Sequence, residues 1–361
     1  MGYDFVVVGA GLAGAVFARE VADHGKKVLV LDKAEVPGGA CSSRSMSGID
    51  VHLHGPHVFH TQSLKLWKYV HRFAEFLPLN LRMKSMSQGQ IYSFPINLMT
   101  LRQLWGVQTP AEAKTLLDSK CARIAHPKNL EEWALANLGE ELYERFIYGY
   151  TLKQWGRDPK TLPACILRRI PIRLTFNDNH FADAFQGVPM DGYAAFFHAL
   201  LDGIEVQLDV DYFGDRTRID RMGQLVYTGR IDQFYDYRCG ELPFRTVRFE
   251  TQELTGDFQG CPVVTYPDLE VSFTRITEHK HLGLTQSKNT IISREFSEEG
   301  TKDSYPHYPI NDTANTALAE QYLGLRTTAY FLGRAARYQY LDMDQTIAQS
   351  LTLASDVLFR T

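Results

Sequence analysis

No stretch of the 361-residue sequence is apolar for long enough to cross a bilayer. Basic excess is also missing: 38 Lys and Arg face 42 Asp and Glu, for a net charge of −4. A nucleic-acid partner is therefore not expected, and any anionic ligand must be met by a local cluster of cations. Cysteine is scarce. Cys41, Cys121, Cys165, Cys239 and Cys261 show no CxxC or CxxH spacing, which argues against a zinc ribbon or a disulfide framework and fits a reducing cytosol. No repeat or low-complexity tract occurs. With a first strand expected from about residue 3, no secretory leader is expected either. The expectation is a soluble cytoplasmic protein of ordinary composition, with two or three domains.

What is present is concentrated first in residues 3–41, YDFVVVGAGLAGAVFAREVADHGKKVLVLDKAEVPGGAC. An apolar strand, Phe5 to Val8, leads into Gly9, Gly11 and Gly14 in GxGxxG spacing. A helix from Leu12 follows, then a second strand, Val28 to Leu31, ending at Asp32. This is the order of a βαβ unit that binds an adenine dinucleotide. The glycines permit the turn and the close approach of backbone to pyrophosphate. The helix N-terminus faces the phosphates, and Asp32 stands where an acid meets the ribose. A GxGxxG alone is weak; the ordered set is what carries the reading. Gly38 and Gly39, followed by Ala40, let the chain pass the pyrophosphate a second time and favour FAD over NAD.

Further on, HLHGPHVFHT places His52, His54, His57 and His60 within nine residues. Their spacing is not that of a zinc site and no thiol or carboxylate cluster joins them, so a ligand-facing or hydrogen-bonded turn is expected and no metal. Helices are expected at 62–76, 98–105, from Pro110, from the cap Asn129, at 140–150, 193–201, 311–324 and 344–359. Strands are expected near 91–95, 204–212, 224–227 and 328–333. From 244 to 296 the apolar period becomes two, which indicates an antiparallel sheet. The segment 151–193 is rich in Gly, Pro, Asn and Arg. Its Arg168, Arg169 and Arg173, with Arg275 in the sheet, could grip a diphosphate or merely pair with carboxylates. Nearby Phe146, Tyr148, Tyr150, Trp155 and Phe176 could be core or could face a flat base. Asp342 or Asp344 could cap the last helix, whose N-terminus could also face a reduced flavin.

Several segments together resemble the UDP-galactopyranose mutase family: VVGAGLAGAVFA, GPHVFHT, GYTLKQWGRDPKTLPACILRRIP, FQGVPMDGY, VYTGRIDQFYDYRCG, FTRITEHKH and YLDMDQ. They run nearly end to end. The resemblance implies an α/β protein with a Rossmann-like FAD-binding domain (1–78, 202–240 and 325–361). It also implies a helical-bundle domain (98–160) and an antiparallel-sheet substrate domain (79–97, 161–201 and 241–324) with a mobile loop near 162–175. It implies interconversion of UDP-galactopyranose and UDP-galactofuranose without net redox change. Reduced, anionic FAD forms a covalent flavin N5–sugar adduct as UDP leaves. An external electron donor such as NAD(P)H, a homodimer and a role in cell-wall polysaccharide synthesis are implied as well.

Carried over residue by residue, the resemblance gives Arg169, Arg275 and Tyr340 to the diphosphate and His60 to the flavin. Phe146, Tyr150, Thr151, Trp155, His180 and Tyr308 line the substrate. Gly9, Gly11, Leu12, Gly14, Asp32, Lys33, Gly39, Ala40, His57, Arg334, Asp342 and Met343 surround the cofactor. The chain departs from the family at Asn179-His180-Phe181 and Pro306-His307-Tyr308-Pro309, where histidines replace common tyrosines. Arg230 stands where proline is usual. The histidines put the phosphate contacts in question, and Leu79 to Ser87, which matches the family poorly near the sugar, leaves the sugar open, with UDP-N-acetylgalactosamine and dTDP-fucose as alternatives. An amine-oxidase-type oxidoreductase and a non-catalytic nucleotide-sugar binder are the remaining alternatives.

Overall fold

A computed structural model describes residues 2–168 and 172–359. They form two compact units, each made of separated segments. The first contains Met1–Leu79, Asp183–Phe244 and Pro306–Thr361; the second contains Asn80–Ala182 and Arg245–Tyr305. The helices expected as a separate bundle share the second unit with the sheet, and residues 183–201 belong to the first unit. Among the described residues, no helix is long and apolar enough to cross a membrane.

The first unit is built on a five-stranded parallel sheet. Its order is Glu205–Gln207, Val28–Leu31, Phe5–Val8, Gln224–Tyr227 and Tyr330–Phe331. Strands buried on both faces need continuous apolar runs, and FVVV and VLVL supply them. Helix Leu12–Asp23 lies on the sheet through Ala13, Ala15, Val16, Phe17, Ala18 and Val21, all buried. Each larger one of these side chains contributes roughly 1.5–3 kcal/mol by leaving water. The last helix, Met343–Phe359, packs along this first helix, and Ser350 Oγ donates to the Ala13 carbonyl at 3.0 Å. A three-stranded sheet of Phe59–Thr61, Phe185–Pro189 and Phe76–Pro78 completes this unit.

In the second unit the strands run Phe244–Thr255, Asn289–Glu299, Arg275–Glu278, Val263–Thr265, Met83–Ser87 and Gln90–Phe94. All their pairings are antiparallel except Val263–Thr265 with Met83–Ser87, which is parallel, so the sheet expected to be antiparallel is mixed. Asn97, Thr109 and Asn129 cap the helices Leu98–Trp105, Pro110–Lys120 and Leu130–Asn137, as the sequence indicates. The helical stretch from Glu140 does not stop at Tyr150. It passes through a π turn, Tyr143–Tyr148, and continues as Gly149–Trp155 until Gly156, at φ +60°, ends it. The KQW segment is therefore the end of a helix and not a loop, because Thr151 and Trp155 bury their side chains.

Candidate functional site

The candidate residues fall on both units. In the first, the glycine loop and the Gly38-Gly39 segment lie side by side. Gly11 and Gly38 form a parallel bridge, and Gly38 N–H donates to the Ala10 carbonyl at 2.9 Å. Helix Leu12–Asp23 begins at Gly11 with no side chain capping it, so its first N–H groups are directed outward as a dinucleotide requires. Asp32 follows the strand Val28–Leu31, with one oxygen accepting from Ala10 N at 2.6 Å and the other from Ala34 N at 2.9 Å. Each oxygen keeps a further lone pair for a ribose hydroxyl. Lys33 beside it is exposed, and Gly39 and Ala40 lie in a 3₁₀ turn ending at the buried Cys41. Burial pushes the Cys41 thiol up to about 12 while the Arg334 charge opposes that rise.

Arg334, the second residue of the short helix Gly333–Arg337, holds its guanidinium 4.3 Å from the centroid of the Tyr340 ring. Tyr340 stacks on Tyr308 at 5.9 Å and 13°. Nε and Nη2 of Arg334 are buried with no hydrogen-bond partner among the described residues. Two orphaned cationic donors fit an anionic or carbonyl-bearing cofactor at this place. Asp342 carries the carbonyl that receives Thr346 N at 3.0 Å, so it heads the last helix, and Met343 is that helix's first residue.

The histidines form hydrogen-bonded pairs. His57 Nδ1 lies 2.8 Å from the Gly55 carbonyl and must donate to it, which leaves Nε2 as an acceptor. Burial holds His57 down at about 3, against the Gly55 bond, and the neighbouring His52, Arg334 and His54 push the same way as burial. His60 Nδ1 donates to Asp183 at 2.8 Å, fixing its ring. His54 Nδ1 and His307 Nε2 lie 3.0 Å apart, so one ring donates and the other accepts. His307, which the resemblance sets where a tyrosine is expected, is thus matched by a second histidine.

This arrangement predicts an acid-sensitive window. Burial lowers His54 from 6.5 to about 4. Between those values the unfolded chain binds more protons than the folded one. The contribution is complete above pH 6.5 and is lost as pH falls toward 4. Melting temperatures measured from pH 7 to 4 should fall, and a His54→Tyr/His307→Tyr double variant should flatten part of that fall. An equal fall in both proteins would contradict the role given to the pair.

In the second unit, Phe146 sits in the π turn and packs edge-on against Tyr92 at 5.3 Å, as a core residue does. Tyr150, Thr151 and Trp155 share the helix that follows. Arg275 begins its strand opposite Glu295, and their side chains pair at 2.7 Å. Burial raises Glu295 while Arg275 opposes the shift. His180 N–H donates to the Leu81 carbonyl at 2.7 Å, which anchors that segment to the start of the hairpin strand. Arg173 closes its own turn by donating to the carbonyls of Asn177 and Asn179. Arg169 lies outside the described residues, and within 162–175, expected as a mobile loop, Cys165–Arg168 form a short helix.

The sequence matches the family model described as UDP-galactopyranose mutase over residues 145–340, and a NAD(P)-binding Rossmann-like domain over 7–73. It is 38% identical over 365 residues to a probable UDP-galactopyranose mutase of Klebsiella pneumoniae, covering 98% of this chain and 94% of that one. The chain belongs to the UDP-galactopyranose mutase family. It is thereby an enzyme of the isomerase class. It is also 37% identical over 364 residues to a dTDP-fucopyranose mutase of Escherichia coli, covering 97% of each. A solved structure of reduced UDP-galactopyranose mutase shares the fold with a TM-score of 0.77 at 14% identity, over 99% of this chain and 94% of that one.

Two features of this family member are not evident from residue type. Arg230, which the resemblance sets where a proline is expected, forms a buried pair with Asp232, at 2.6 Å from Nη2 and 3.1 Å from Nε. Its guanidinium lies 4.4 Å from the Phe244 ring centroid. Asp232 also receives the N–H groups of Gln233 and Leu242, so the TGRID segment is locked from inside. The second feature is the TRITEHKH motif. Asp257, Glu278 and His281 bring possible ligand atoms within 4.8 Å of one another. Glu278 already receives the N–H groups of Phe258, Gln259 and Gly260 and the hydroxyl of Thr290, and Lys280 occupies Asp257. The motif is a sheet-corner staple whose carboxylate is filled by backbone donors.

Proposed function

We propose that this enzyme interconverts the pyranose and furanose forms of a nucleotide sugar, UDP-galactose before others, using FAD held reduced by an external donor such as NAD(P)H. The reading rests chiefly on near-full-length similarity to two mutases named for different nucleotide sugars. The residues of the first unit fit FAD. The helix N-terminus at Gly11 would hold the pyrophosphate and Asp32 the ribose, and Arg334, His57, His60 and the N-terminus of the last helix would hold the flavin end. Reduced FAD supplies, when bound, the nucleophile that meets sugar C1 as UDP departs, with no net redox change.

The protein's own work is to bind, orient and neutralise. Arg275, kept in place by Glu295, carries positive charge to the diphosphate, with Arg169 as its partner. Tyr308 and Tyr340 present hydroxyls whose rings are stiffened by stacking on each other and on Arg334. Tyr150, Thr151 and Trp155 take the uridine and sugar sides.

The decisive assay offers UDP-galactose, UDP-N-acetylgalactosamine and dTDP-fucose in parallel to dithionite-reduced and to oxidised enzyme. Furanose product is expected from the reduced form only. Equal turnover by oxidised enzyme under strict anaerobiosis overturns the reading. The substrate with the largest kcat/KM names the sugar.

A further inference from the structure

Lys153 is half-buried on the helix Gly149–Trp155, two residues before Trp155. Its ammonium contacts four backbone carbonyls of one loop, 266–273. The distances are 2.5 Å to Tyr266, 2.8 Å to Asp268, 2.8 Å to Val271 and 3.0 Å to Phe273. An ammonium has three donors, so four acceptors use them all and share one. The loop leads directly into Arg275. Tyr266 N–H donates to the Thr274 carbonyl at 2.8 Å, and Thr274 N–H to Glu295 at 2.8 Å, which closes the loop at the residue preceding Arg275.

Other contacts hold the same helix and loop together. A Cβ on Gly149 would lie 2.2 Å from the Pro267 carbonyl oxygen, so only glycine permits this approach at the start of the helix. Asp268 uses its carboxylate on Ser87 Oγ at 3.1 Å and Gln88 N at 2.6 Å, tying the loop to the hairpin turn. At the other end, Arg245 donates to the carbonyls of Gln154 and Lys153. The helix bearing Tyr150 and Trp155 and the strand bearing Arg275 therefore meet at one cation.

We propose that Lys153 is a positioning residue for nucleotide capture: by gathering the carbonyls of loop 266–273 it sets Arg275 in register with Tyr150 and Trp155. The inference rests on Arg275 meeting the diphosphate. A surface lysine used only for solubility does not enclose itself in carbonyls. A lysine that touched the nucleotide would keep donors for it, whereas all of this one's donors are engaged by the protein.

The test uses flavin-loaded, reduced protein and UDP as probe, with affinity read by titration. Lys153→Ala should weaken UDP binding about 10-fold, the scale of a lost charge-assisted hydrogen-bond set, while the flavin stays bound. n-Propylammonium replaces the deleted atoms and should restore most of the affinity. Tetramethylammonium, which has no N–H donor, should not. Wild-type affinity in Lys153→Ala, or weakened affinity that n-propylammonium does not improve, overturns the proposal. If alanine impairs folding, Lys153→Gln and Lys153→Met replace it. UDP affinity must then fall in the order Lys, Gln, Met, and equal affinities overturn the proposal. Arg275→Ala is the control for the underlying reading. If it binds UDP normally, the diphosphate assignment fails. If it loses UDP while Lys153→Ala does not, the positioning role alone fails.

Discussion

Arg275→Ala should cost reduced enzyme roughly 10²–10³-fold in kcat/KM, the scale of losing one preorganised donor to developing negative charge. Flavin content should be unchanged, since Arg275 belongs to the second unit and the glycine loop to the first. The substitution has a side effect that must be separated from catalysis. It leaves Glu295, buried and paired with Arg275, without its counter-charge. Breaking such a pair destabilises a protein by about 3–5 kcal/mol. The double variant Arg275→Met/Glu295→Gln removes both charges at similar volume and should recover much of the melting temperature while remaining inactive. Normal UDP affinity in the double variant would mean that Arg275 does not grip the diphosphate.

The second large effect is expected at Gly14. A Cβ there would stand 2.0 Å from the Gly9 carbonyl oxygen and 2.9 Å from Val7 Cγ1. Neither neighbour can retreat, because Gly9 N–H is tied to the Leu31 carbonyl at 2.7 Å and Val7 is fully buried in the central strand. Gly14→Val must push helix Leu12–Asp23 off the sheet, which moves its N-terminus away from the pyrophosphate position. Overpacking of this kind costs about 1–3 kcal/mol or more. The expected product is colourless protein with a lowered melting temperature, and no addition of FAD should restore the colour. Gly214→Ala serves as the control, since nothing lies within 4 Å of a Cβ there. Yellow, normally melting Gly14→Val protein would remove the basis for placing the dinucleotide here.

The dinucleotide half of the fold was legible because several local signals coincide. Apolar runs, glycine spacing, a helix and a terminal acid are all read from neighbouring residues, and the parallel sheet follows from them. The second unit was less legible. Helix ends announced themselves through Asn97, Thr109 and Asn129, but the continuation through Tyr143–Tyr148 to Trp155 did not. A π turn shifts the apolar face within a few residues and erases the period that marks a helix. Arg230 and Lys153 were opaque for another reason. Their meaning lies in partners that only tertiary structure supplies: Asp232 and Phe244 for one, four loop carbonyls for the other. Likewise His307 reads as a lost tyrosine until His54 is seen beside it.

The pairing of helices Leu12–Asp23 and Met343–Phe359 has a consequence for biosynthesis. A ribosome delivers the glycine loop and its helix first and the covering helix some 320 residues later. Throughout elongation the apolar flank of the nascent first helix lacks its native cover, and contacts of such sequence separation form slowly. Completion of the dinucleotide unit therefore waits for the helix Met343–Phe359. A nascent chain stalled before Met343 should depend on holdase chaperones and should not retain flavin, however perfect its glycine motif.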